Sequence, residues 1–177
     1  MNTDSIFNVV PRREKINDCQ SSLDTIYAGW CRYQELLIAA LEPLSQEQLA
    51  LRPAPHLRSI GEIAAHIIGA RARWFAPPLG DGSQELAVFA IWDKPGSSLQ
   101  SAHDLVRGLQ FTQDYVQITM ACWTPAEWKV AIPSEDDHDP PVITRQWVVW
   151  HLIEHDLHHG GEISITLGMY GLTPPDL

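Results

Sequence analysis

The chain has 177 residues, 12 Lys plus Arg against 22 Asp plus Glu for a formal net charge of −10, and is 45% hydrophobic and 19% charged. This is the composition of an ordinary folded domain, and so acidic a chain lacks the clustered cations that grip a phosphate backbone, so no nucleic acid is expected as a partner. The longest wholly apolar runs, Leu86 to Trp92 and Leu36 to Leu41, are seven and six residues, far short of the ~20 needed to cross a bilayer, so no membrane partner is expected either.

Residues 1–18 carry Arg12, Arg13, Glu14 and Lys15 and no apolar run resembling a secretion signal. They read as an N-terminal arm on a single domain spanning 1–177, with the cytoplasm as the expected location. Cys19, Cys31 and Cys122 are an odd, widely spaced set with no CxxC pair, which predicts free thiols rather than a disulfide framework or a thiolate zinc site. Leu23, Ile26, Trp30, Tyr33, Leu37, Ala40 and Leu44 recur at steps of three and four, the apolar stripe of a first long helix. Ser45-Gln46-Glu47-Gln48 is a capping box that opens a short helical turn, stopped by Pro53 and Pro55.

A second capping box, Ser59 to Glu62, precedes a stripe of Ile60, Ile63, Ile67, Ala70 and Trp74, so a second long helix is predicted over 59–76, ended by Pro77-Pro78. The apolar segment Leu86 to Trp92 fits either a short strand or a stretch draped over the core. A third helix is predicted from Ser101 to Cys122, with Leu105, Leu109, Val116 and Met120 facing inward. Thr124-Pro125-Ala126-Glu127 predicts a short helix starting at Pro125. The acidic stretch from Ser134 to Pro141 reads as a solvated loop, and a fourth long helix is expected over 144–167. Four such helices make an all-α protein, most simply a four-helix bundle; about twenty-four residues between the second and third leave room for a crossover along the bundle.

Four of the eight histidines, His151, His155, His158 and His159, lie within nine residues on that last helix. His151, His155 and His159 share one face at i, i+4 and i+8, with Glu162 a turn further on. Imidazoles four apart on a helix have Cβ atoms about 6 Å apart and can converge on one ion, which then needs a third ligand from a neighbouring helix. His66, at the edge of the second helix's apolar stripe, is the candidate. Spacing alone does not choose between the pairs 151/155 and 155/159, and the same histidines are compatible with a pH-sensitive interface.

Ser59-Ile60-Gly61-Glu62-Ile63-Ala64-Ala65-His66-Ile67, followed about ninety residues later by Trp150-His151-Leu152-Ile153-Glu154-His155-Asp156-Leu157-His158-His159-Gly160-Gly161-Glu162-Ile163, resembles the DinB-like superfamily of helix-bundle metalloenzymes. The resemblance extends from the capped turn at Ser45 to the closing Gly171-Leu172-Thr173-Pro174-Pro175. It implies a divalent metal held by His66, His155 and His159. It also implies a metal-dependent enzyme acting on a small molecule, most directly a transferase of low-molecular-weight thiols or a hydrolase; the alternative is a non-catalytic, stress-associated bundle that binds metal or a ligand. The chain departs from the family at Gly160, where an arginine is usual, and at Glu162, a frequent glutamine.

Three neutral imidazoles leave coordination positions open, as in catalytic sites; zinc is the first choice, with nickel or another transition metal compatible with the same ligands. Glu62 and Glu162 are the candidate acid/base or ligand-orienting carboxylates, with capping the stronger role for Glu62. Seven tryptophans and the habit of the family point to a homodimer. The Gly160-Gly161 pair inside a helix, costing roughly 1 kcal/mol per glycine relative to alanine, predicts a close approach at that point by a neighbouring backbone or a bulky substrate, or a local kink.

Overall fold

A computed structural model describes residues 12–75, 79, 84–132 and 142–176, with side chains from residue 24 onward. Six α-helices lie within these segments: α1 (Arg12–Leu41), α2 (Gln46–Leu49), α3 (Ile60–Phe75), α4 (Gln84–Phe89), α5 (Ala102–Ala121) and α6 (Arg145–Met169). A 3-10 turn (Glu127–Lys129) and two short strands, β1 (Ala131–Ile132) and β2 (Ile143–Thr144), complete them. The protein is thus all-α apart from one antiparallel ladder pairing Ala131 with Thr144 and Ile132 with Ile143. No helix among the described residues is long and apolar enough to cross a membrane.

Local chemistry sets the helix ends. At α2 the Ser45 hydroxyl accepts from the Gln48 amide while the Gln48 side chain accepts from the Ser45 amide. At α3 Ser59 and Glu62 make the same reciprocal pair. Ser101 caps α5 and Thr144 caps α6, each hydroxyl accepting an amide that would otherwise lack a partner. Because Thr144 also ends β2, the small ladder fixes where α6 starts.

Three expectations change, and one left open is decided. α1 begins at Arg12, so the segment read as an arm is helical from there on, and residues 1–11 lie outside the described residues. Ile26, counted into the first stripe, is 51% exposed, whereas Trp30, Tyr33, Leu37, Ala40 and Leu44 are buried. The Leu86 to Trp92 segment is not a strand but lies draped over the core, α4 taking its first half and a turn following. At Pro125 a turn precedes a 3-10 helix of three residues only. Pro77-Pro78, the acidic loop at 134–141 and the Cys19 side chain lie outside the described residues, while Cys31 and Cys122 are free thiols.

Two apolar clusters fill the bundle. One joins Leu37 and Leu41 of α1, Ile60 to Ile68 of α3, Leu105 and Leu109 of α5, and Ile163 and Leu167 of α6. The other joins Trp30, Ala72 and Phe75, Val116 and Met120, and Val148 to Ile153. Each long helix passes from one cluster to the other, which fixes its direction: α1 and α6 run one way, α3 and α5 the other. The connection between α3 and α5 therefore returns along the bundle, laying Phe89, Trp92 and Leu99 against the first cluster.

One ionic network crosses this core. Arg71 of α3, 1% exposed, donates through Nε and Nη2 to Oδ2 of Asp156 in α6, through Nη2 to Gln34 Oε1 in α1 and through Nη1 to the Leu109 carbonyl in α5. Trp30 Nε1 donates to the same Asp156 oxygen at 2.7 Å. Burial opposes ionisation of the Asp156 carboxyl, but Arg71 and these donors hold its pKa below the usual range.

Candidate metal centre

The long helices bring His66 of α3 to the face of α6 that carries His155 and His159, because α3 and α6 pack directly against each other. The ligand nitrogens of these three residues all lie within 4.8 Å of one another. His66 Nε2 is 3.2 Å from His155 Nε2, and the three ring centroids are 4.4 to 4.9 Å apart. Two nitrogens about 2.05 Å from a tetrahedral zinc ion stand roughly 3.3 Å apart, so the donor set suits such an ion in both type and spacing. The side chains are 18%, 13% and 12% exposed, shielded yet reachable from solvent.

Two of the three rings are oriented through their outer nitrogens. His66 Nδ1 is 2.6 Å from Asp93 Oδ2, and Asp93 is gripped by Arg73, whose Nη1 and Nη2 donate at 2.6 and 2.9 Å. His159 Nδ1 is 2.7 Å from Glu162 Oε2. Carboxylates on Nδ1 leave Nε2 as the inward-facing nitrogen, the arrangement that fixes ring orientation at metal sites. Burial pushes the His66 pKa down to about 4 against the opposing pull of Asp93, with the nearby Arg58 cation adding to the decrease, and burial lowers His159 as well. Burial disfavours the Asp93 carboxylate, yet Arg73 and His66 together bring its pKa to about 2. At neutral pH His66 and His159 are therefore uncharged imidazoles with lone pairs to donate.

His151 stands apart from this trio. Its ring stacks on Trp147 at 5.0 Å and meets Trp74 edge-on at 5.8 Å, so it packs with aromatic side chains one turn away from His155. His158 is 66% exposed, with Nε2 3.7 Å from Glu162 Oε1. Glu62 binds the Ser59 amide at 2.6 Å and Arg52 Nη2 at 3.3 Å, which ties its carboxylate to the start of α3. Of the two glutamates, Glu162 is the one in contact with a member of the trio.

At Gly160 the close approach expected at the glycine pair comes from a side chain and not from a neighbouring backbone. A Cβ on Gly160 would overlap the Tyr33 hydroxyl and lie 2.7 and 3.0 Å from two ring carbons of Tyr33, whereas nothing lies within 4 Å of one on Gly161. Gly160 thus lets α1 sit against α6 beside His159. Asp93 and Arg73 were not visible as site residues in the sequence. Asp93 follows an apolar run in a connection and meets His66 across 27 positions; the one local sign is Gly69, where a Cβ would come within 2.8 Å of Asp93 Oδ1.

Residues 32–163 match the sequence model of the DinB superfamily. Two crystal structures are similar. A DinB-like protein from Bacillus cereus shares 21% identity at a TM-score of 0.64, with 85% of this chain and 93% of that one covered. A DinB-like protein from Bacillus subtilis, YjoA, shares 15% at 0.59, with 86% and 96% covered. At these identities the two structures establish the fold alone. No curated protein of assigned function matches the chain.

Proposed function

From the premise that this chain belongs to the DinB superfamily, we propose that it is a metal-dependent enzyme acting on a small molecule, most directly in thiol transfer, with hydrolysis as the variant. The observation that carries the reading is the convergence of three nitrogen donors from two helices within 4.8 Å. His66, His155 and His159 would hold a divalent ion, zinc before nickel. Such an ion, when bound, supplies Lewis acidity that lowers the pKa of a thiol or water in its open position.

The chain's own residues supply the rest. Asp93, kept ionised by Arg73, holds the proton on His66 Nδ1 and keeps Nε2 free. Glu162 does the same for His159; its oxygen is already engaged there, which favours orientation over general-base work. Arg58 places a cation near His66 and offers an attraction for an anionic group of a substrate, in a chain whose position 160 is glycine instead of the arginine usual in the family.

The first test is elemental analysis of protein purified without a histidine tag. About one divalent metal per chain is expected, falling sharply in His155→Ala; unchanged metal content in that variant would falsify the assignment. A conjugation assay over several low-molecular-weight thiols, with metal-stripped protein as control, then separates an enzyme from a bundle that only binds. Equal rates with and without metal would count against metal-dependent transfer.

A further inference from the structure

α1 is longer than the core it packs on. Trp30, Tyr33, Leu37 and Leu41 bury its C-terminal half, but five of the six residues from Asp24 to Gly29 are exposed. The helix nevertheless runs unbroken back to Arg12, about 18 Å beyond Asp24. Its apolar stripe does not stop where the core does: Ile16, Cys19, Leu23, Ile26 and Trp30 follow one another at steps of three and four. Trp30 is 3% exposed, while Ile26, one turn upstream on the same stripe, is 51% exposed. The stripe thus leaves the core at Ile26 with three apolar positions still to come.

Beside this stretch of α1 lies a groove of about 1260 Å³. Tyr27 and Cys31 of α1, Met120 at the end of α5, and Trp147, Trp150 and Ile153 of α6 line it. Trp150 is 57% exposed there, an apolar surface of the kind that marks a binding face. Size selects the occupant. Pockets for small ligands hold about 300–1000 Å³, whereas three turns of α-helix, about 10 Å across and about 16 Å long, fill about 1300 Å³. Ile16 to Ile26 is a segment of that length, and its apolar positions have the spacing with which an amphipathic helix anchors in an apolar groove. The same chain cannot supply it: α1 is one continuous helix that already forms a side of the groove, so residues 16–23 continue along its axis and not into the space.

We infer that the groove receives α1 of a second copy of this chain. In a two-fold pair each α1 lies in the groove of the other copy, so one ridge and one groove per chain serve both. Half the surface of three helical turns is about 300 Å², and two helices in two grooves bury about 1200 Å² in all, where stable specific interfaces begin. Trp150 and Ile153 stand at least about 120° round α6 from His155 and His159. The pairing therefore leaves the histidine face open, and nothing in it depends on an ion.

Sedimentation velocity of the full chain is the test. Wild-type protein should sediment as a dimer at micromolar concentration. Leu23→Asp, on the stripe, and Trp150→Asp, in the groove, should each raise the dimer dissociation constant at least about 30-fold. Ile165→Asp should leave it unchanged, because Ile165 is 66% exposed but does not line the groove. Far-UV circular dichroism checks that each variant is folded; Ile26→Asp replaces the first and Val142→Asp the second if either is not. A monomeric wild type overturns the inference and gives the groove to another occupant, such as an apolar small molecule. A dimer indifferent to Leu23→Asp or to Trp150→Asp, or equally sensitive to Ile165→Asp, overturns it too, because the copies then meet elsewhere.

Discussion

Asp93 is the residue through which a connection far from the histidines in sequence acts on the site. It bonds His66 and Arg73 together, so its removal frees one imidazole and leaves one guanidinium without its partner. Asp93→Ala should weaken zinc binding about 10–100-fold in chelator competition; retained affinity would reduce Asp93 to a loop anchor. His66 also predicts a pH dependence in the metal-free protein. Its folded pKa, about 4, lies below the ordinary 6.5 because burial disfavours the cation. Between these values the unfolded chain binds the extra proton, so stability rises with pH there: the contribution is whole above 6.5 and is lost as pH falls toward 4. Urea denaturation of metal-free protein across this window should show the loss, and His66→Gln should flatten it. An unchanged slope in that variant would mean that other groups carry the titration.

At the scale of elements, α6 carries both the ligands and the packing that places them, and its two adjacent glycines separate the two functions. Alanine at Gly161 meets nothing and should stabilise the protein by up to about 1 kcal/mol through helix propensity. Alanine at Gly160 runs into the buried Tyr33 ring, and overpacking of about 1–3 kcal/mol should outweigh that gain. Opposite signs in parallel denaturation curves are the expected outcome; stabilisation by both would show that α1 yields at Tyr33. The stripes of α1, α3 and α5 and the serine caps could be read directly, because spacing and capping are local. Leu86 to Trp92 could not, because a short apolar run has no period of its own and its form is decided by the helices beneath it. The pair 155/159 needed the family resemblance, since His151 sits on the same face and only Trp74 and Trp147 remove it from the cluster. Asp93, Arg73 and the Arg71 network were illegible because their partners come from other helices.

For the molecule as a whole, the site lies across the α3–α6 seam, next to the level at which Arg71 and Asp156 link the same two helices and reach α1 and α5. An ion bridging His66 to His155 and His159 would be a second tie across that seam, made only in the folded state, since the unfolded chain holds residues 66 and 155 apart. Whatever binds only the folded state stabilises it by mass action, about 2.7 kcal/mol at a free concentration one hundred times Kd. For a chain of this length roughly 2–4 °C of Tm accompanies each kcal/mol, so saturating zinc should raise Tm by about 5–10 °C. The rise should disappear with a chelator and be absent in His155→Ala and His66→Ala, each of which removes the bridge from one side. Loss in His155→Ala with full retention in His66→Ala would place the ion on α6 alone, a two-ligand site on one helix, and would take away the cross-helix geometry on which the proposed chemistry depends.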